Sequence, residues 1–181
     1  MPGRVVIVSG PPGAGKTSVA QRLALGSGEA RAIHLHTDDF YACIKKGFVA
    51  PWRPESQAQN ITVMTAIAGA AATYARDGYE VIADGIVGPW FFEPWLAAAA
   101  AQAFDLRYLV LMPDEATAVA RGTARTEPGA MTDPAVIRAM WAHFRTYAPD
   151  PQHVLDTTGQ SLEETLSSVR EGLAAGRYRL A

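Results

Sequence analysis

At 181 residues the chain is long enough for one domain, with or without an inserted lid, and can bury a core without disulfides. A net charge of −2 with both signs interspersed leaves no footprint for nucleic acid, and Cys43, the single cysteine, excludes a disulfide framework or a multi-cysteine zinc site. A lone cysteine suits a reducing cytoplasm, no signal peptide is expected ahead of so early a strand, and the alanine-rich run Leu96 to Ala103 is too short to span a bilayer.

An apolar, β-branched strand, Val5–Ser9, comes first, and a helix is predicted over Lys16–Leu25. Between them Gly10-Pro11-Pro12-Gly13-Ala14-Gly15-Lys16-Thr17 fills every fixed position of the pattern G-x-x-x-x-G-K-[ST], with Ser18 following. A loop that closes a strand and opens a helix aims several backbone N–H groups at one point, where the helix dipole adds positive potential. The glycines let the backbone curl around a phosphate. Lys16 is then placed for the β/γ-phosphates and the Thr17 hydroxyl for Mg²⁺. An ordinary glycine-rich turn is the bland alternative, and the strand-before, helix-after context speaks against it. The expectation is a nucleoside triphosphate, ATP, with Mg²⁺.

A second strand, Ala32–His36, runs into Thr37-Asp38-Asp39-Phe40-Tyr41 and a short helix. In a doubly wound sheet ligands gather at the carboxyl ends of the strands, which puts Asp38 and Asp39 on the same edge as the glycine-rich loop. A carboxylate there can accept the proton of an acceptor hydroxyl or hold Mg²⁺ through water. One of the pair is also expected to N-cap the short helix, and Asp38 is the favoured one for chemistry. His34 and His36 alternate about Leu35 and point the same way. With no cysteine or acidic neighbour at ligand spacing, they are not expected to bind metal.

An irregular stretch, Gly47–Glu55, holds Pro51, Trp52, Arg53 and Pro54, and a long helix follows over Ser56–Asp77, closed by Asp77-Gly78. The third strand, Glu80–Ala83, ends in Asp84-Gly85. Any strand can end in a turn aspartate; beside a phosphate loop, Asp84 reads as the carboxylate that supports Mg²⁺ next to Thr17.

A helix is predicted over Phe91–Gln102, a strand over Leu106–Met112 and a helix over Asp114–Thr123. Arg121 and Arg125, four apart, are expected on one face beside the Glu127-Pro128-Gly129 break, with a lid at about 124–134. Two guanidiniums there can stack on a base and bridge phosphate oxygens, or simply form a solvated basic face; Arg138, on a returning helix Asp133–Tyr147, can join them. A last strand, His153–Asp156, leads into Asp156-Thr157-Thr158-Gly159-Gln160, either a lining for the base, with Thr158 and Gly159 at its centre, or a helix-entry turn. Ser161 with Glu163 and Glu164 then starts a helix to Ala174. Tyr41, Trp52, Arg53 and Trp90 are candidates to frame an acceptor pocket, with packing as the alternative role for each. Strand–helix alternation of this kind implies an α/β fold whose parallel sheet is covered on both faces.

With these features in this order, the whole chain resembles the small-molecule kinases of the P-loop superfamily, which include chloramphenicol phosphotransferase and gluconate, shikimate and adenylate kinases. It is most similar to the AAA_33-type group of small bacterial proteins, which keep a segment resembling His34–Tyr41 and the Trp52-Arg53-Pro54 loop. The resemblance implies a doubly wound P-loop NTPase fold, five parallel strands in the order 2-3-1-4-5, and a phosphate cradle of Gly13, Gly15, Lys16, Thr17 and Ser18. It further implies Asp38 as base or acceptor anchor, Arg121 stacked on adenine and Arg125 clamping phosphate. The lid is short and carries only Arg125 before its break, which implies partial closure.

The leading reading is an ATP-dependent phosphotransferase acting on a hydroxyl of a small molecule. A regulatory nucleotide-binding module without a second substrate and a nucleoside monophosphate kinase are the alternatives. No N-K-x-D base-reading motif is present, so ATP against GTP stays open, as does the base among Asp38, Asp39 and Asp84. A monomer or homodimer without nucleic-acid or membrane partners is expected.

Overall fold

The computed structural model describes residues 2–126, 130–147 and 150–181. Its strands are β1 (Arg4–Ser9), β2 (Ala32–His36), β3 (Glu80–Asp84), β4 (Asp105–Leu111) and β5 (Val154–Leu155). The helices are α1 (Lys16–Leu25), α2 (Thr37–Ala42), α3 (Gln57–Arg76), α4 (Phe92–Gln102), α5 (Glu115–Thr123), α6 (Pro134–Thr146) and α7 (Leu162–Ala174). All neighbouring strands pair in parallel, in the order β2-β3-β1-β4-β5, as the sequence resemblance implies.

Side-chain alternation splits the sheet between two cores. Val5, Ile7, Val81, Ala83, Leu106, Tyr108 and Val110 face a layer that holds α3 and α4, with Trp95 fully buried in it. Val6, Val8, Ile82, Leu109 and Leu111 face α1 and α7. A central strand buried on both sides needs an unbroken apolar run, and β1 supplies one.

The expected helix ends hold where local chemistry dictates them. Gly78, at φ 80°, follows α3, and Ser161 with Glu164 forms a reciprocal capping box at the start of α7. Two expectations fail. β5 is only two residues long because the C-terminal segment takes the rest of the β4 edge: the Tyr108 and Leu106 amides donate to Tyr178 and Ala181 carbonyls at 2.8 and 3.1 Å. Neither Asp38 nor Asp39 caps α2, whose N-cap residue is His36; both lie in its first turn, which leaves their carboxylates free for other partners.

Candidate active site

The glycine-rich loop joins β1 to α1 at the carboxyl edge of the sheet. Gly13 sits at φ 80°, and a β-carbon there would lie 2.1 Å from the Ala118 carbonyl oxygen, so the loop packs directly on α5. Gly15, at φ 86°, has open space where its side chain would point. One glycine thus lets the loop touch protein, and the other keeps its outer side open to a ligand. No side chain caps α1, so the amides of its first turn are available to an anion.

Three side chains converge on that turn. The Thr17 hydroxyl donates to Asp84 Oδ2 at 2.7 Å, and Asp84, at the end of β3, is completely buried. The Lys16 ammonium donates to the Pro11 carbonyl at 3.0 Å. Burial pulls the Lys16 pKa down to about 8; the charges of Asp84 and Asp38 act against that, and Arg125 adds to it. Those four groups therefore share one electrostatic neighbourhood. Asp38 projects beside it with its side chain 78% exposed.

The buried Asp84 carboxylate stays charged for a reason the sequence did not show. Burial alone would raise its pKa, yet hydrogen bonds from His34, His36 and Thr17, with the charge of His36, hold it well below the usual carboxylate range. His34 Nε2 and His36 Nδ1 lie 2.5 and 3.0 Å from Asp84 Oδ1. The other ring nitrogen of His36 lies 3.5 Å from Asp38 Oδ2. Hydrogen bonding to Asp38, then to Asp84, pushes the His36 pKa up to about 10, and the same contact lowers that of Asp38. Besides Asp38, two residues along the chain, a second acidic partner is supplied from β3, where His36 and Asp84 are partners in register.

On the other side of the loop, Arg121 donates to the Gln160 carbonyl at 2.9 Å, and the Asp114 amide donates to the Thr158 hydroxyl at 2.8 Å. These contacts tie α5 to the turn after β5, with Gly159 at φ 70°. Thr157 is buried with no hydrogen-bond partner for its hydroxyl among the described residues. Arg125 lies just past α5, which stops at Thr123, with its amide donating to the Gly122 carbonyl at 3.5 Å. Arg138 turns instead to Glu115, at 3.4 Å. Glu127-Pro128-Gly129, the expected break in the lid, lies outside the described residues.

Tyr41 and the Trp52 loop meet through Asn60, while Trp90 packs on α6. Tyr41 is buried, and its hydroxyl donates to Asn60 Oδ1 at 3.0 Å. Trp52 is 61% exposed on a loop held by Ser56, Gln59 and Asn60 side chains, and Arg53 beside it is exposed. Trp90 packs on His143, Phe144 and Tyr147. No ring contact joins Tyr41, Trp52 and Trp90 among the described residues. Asp39 is exposed on α2.

A parallel sheet in this order, with a phosphate loop after its central strand and a buried carboxylate at the end of the adjacent one, is the P-loop kinase type of nucleotide-binding fold. The AAA_33 family, an AAA domain, matches residues 5–147, and the chain belongs to that family. No curated protein matches it. Among solved structures it is similar to a sugar kinase from Janibacter sp. HTCC2649, with 18% identity, 96% of this chain and 95% of that one covered, and a TM-score of 0.68. A gluconokinase from Sinorhizobium meliloti 1021 gives 19% identity, coverage of 96% and 93%, and a TM-score of 0.64. The APS kinase of Mycobacterium tuberculosis in complex with AMPPNP and APS gives 19% identity, coverage of 96% and 98%, and a TM-score of 0.65. At such identities the likeness concerns the fold.

Proposed function

We propose that this chain is an ATP-dependent phosphotransferase that moves the γ-phosphoryl group to a hydroxyl of a small molecule. The observation that carries the reading is the placement of Asp38, a largely exposed carboxylate, beside the Lys16–Thr17–Asp84 group at the mouth of the phosphate loop. A module that only held nucleotide would need no such open carboxylate beside the phosphate loop. The kinase neighbours, one of them bound to AMPPNP and APS, support the same reading.

In this mechanism the amides of the α1 N-terminus and Lys16 hold the β- and γ-phosphates, Lys16 exchanging its Pro11 carbonyl for phosphate oxygens. The oxygen donors of Thr17 and Asp84 fit Mg²⁺, a hard ion that neutralises charge on the transferring group when bound. Arg121 and the turn around Thr158 and Gly159 flank the base, and Arg125 closes over the phosphates. The acceptor oxygen forms a bond to the γ-phosphorus as the bond to the β,γ-bridging oxygen breaks. ADP leaves, and the hydroxyl proton passes to Asp38. Its contact with His36 makes Asp38 a weak base, so it orients the hydroxyl and takes the proton late, as a loose transition state allows. Trp52 and Arg53, exposed on a braced loop, are the side chains for acceptor contact.

The test is transfer of label from γ-labelled ATP across a panel of hydroxylated metabolites and antibiotics. A labelled acceptor supports the reading. ATP binding with no transfer to any acceptor points to the regulatory module.

A further inference from the structure

We propose that His34, His36 and Asp84 form a site for one first-row transition-metal dication, separate from the Mg²⁺ that accompanies the nucleotide. The three come from two adjacent strands. His34 and His36 are two apart on β2 and so face the same way, and Asp84 on β3 is the registered partner of His36. One donor atom from each residue falls within a 4.8 Å cluster.

Two imidazoles and a carboxylate suit Zn²⁺, Co²⁺ or Fe²⁺, whereas Mg²⁺ prefers oxygen ligands throughout. The Asp84 carboxylate is divided accordingly: Oδ1 faces both imidazoles, while Oδ2 faces the Thr17 hydroxyl and the phosphate loop. A second, independent feature points to coordination. A ligating histidine generally presents its other ring nitrogen to a carboxylate, which fixes the tautomer and aims the ring. His36 does this, with Nδ1 toward Asp84 and Nε2 toward Asp38 at 3.5 Å. The His34 and His36 side chains are 17% and 26% exposed, so an ion can enter, and three protein donors leave positions for water. On binding, the ring N–H groups that face Oδ1 give up their protons to solvent and the freed nitrogens coordinate, so uptake of the ion releases protons.

The site stands on ion binding and not on phosphoryl transfer, so its test needs no nucleotide. The full chain, stripped by a chelator, is titrated with Zn²⁺ by calorimetry in a large excess of Mg²⁺, and with Co²⁺ by visible absorption. One ion per chain is expected, with ligand-field bands for Co²⁺. His34→Gln and His36→Gln should each weaken binding at least tenfold, and Asp38→Asn by about 10–100-fold, the usual effect of losing an outer partner. Cys43→Ser and His143→Ala, which remove exposed or partly exposed soft donors elsewhere, should bind as the parent does. If a histidine variant fails to fold, Co²⁺ broadening of the His34 and His36 ring resonances in the unaltered chain decides the matter. Unchanged Zn²⁺ affinity in both folded histidine variants, full displacement by Mg²⁺, or broadening confined to other residues would overturn the site. The histidines would then serve only as hydrogen-bond partners of Asp84.

Discussion

Lys16 is held by a carbonyl and attracted by two carboxylates, and burial pulls its pKa down to about 8. A polyphosphate offsets that burial with charge and offers the ammonium better acceptors than the loop carbonyl. Lys16→Ala should therefore cost at least about 2 kcal/mol of ATP·Mg²⁺ affinity, roughly the worth of a hydrogen bond to a charged group. Calorimetry checks this, and unchanged affinity would remove Lys16 from the phosphate site. The lysine was legible in the sequence because its motif is local: eight consecutive residues between a strand and a helix. The histidines' role was not legible, because it depends on β2 lying beside β3 and on the register that pairs His36 with Asp84. Tyr41 was read with Trp52, Arg53 and Trp90 as a candidate to frame an acceptor pocket, with packing as the alternative. Its bond to Asn60 of α3 is a tertiary contact that no local pattern announces.

Among the elements, α5 decides the most. It meets the phosphate loop at Gly13 and α6 at Gly122, where a β-carbon would lie 2.7 Å from Ile137. Gly13→Ala combines a left-handed backbone, costing about 1–2 kcal/mol, with a carbonyl clash, and should destabilise the chain by more than that. Urea unfolding measures it; an unchanged midpoint would contradict this packing. α5 ends at Thr123, so Arg121 lies within it and Arg125 just past it. Arg121, fixed to Gln160, should matter for ATP affinity, and Arg125, near Lys16, for turnover. The reverse pattern in Arg121→Ala and Arg125→Ala would exchange their roles. At α7, hydrogen bonds from Ser161 depress the Glu164 pKa below its ordinary value of 4.5. A depressed carboxylate stabilises the fold above that ordinary value and loses the contribution as pH falls through its folded pKa. Wild-type stability should consequently fall more steeply than that of Glu164→Gln on acidification below pH 4.5. Parallel pH profiles from denaturant titrations would contradict it.

Across the whole molecule, sheet order makes a site from distant segments. Placing β3 between β1 and β2 brings Asp84 to Thr17 on one side and to the histidines on the other, and β2 then delivers Asp38 to the same edge. The strands, the helices and their alternation could be read from apolar periodicity, and the order followed from the resemblance. The C-terminal segment on the β4 edge could not, since Tyr178–Ala181 carries no strand pattern. What this architecture assembles is a nucleotide cradle facing an open carboxylate, and the central claim is that the carboxylate serves an acceptor hydroxyl. The direct measurement is transfer from γ-labelled ATP to the acceptor panel by wild type and Asp38→Asn in parallel, with ATP affinity measured on both. The account predicts a labelled acceptor with wild type, a rate about 10²–10⁴ lower in the variant, and ATP affinity that does not fall, since the α1 amides and Lys16 carry the phosphate contacts and Asp38 bears on them only through its charge. Full transfer by Asp38→Asn, or ATP binding with no labelled acceptor, would contradict it.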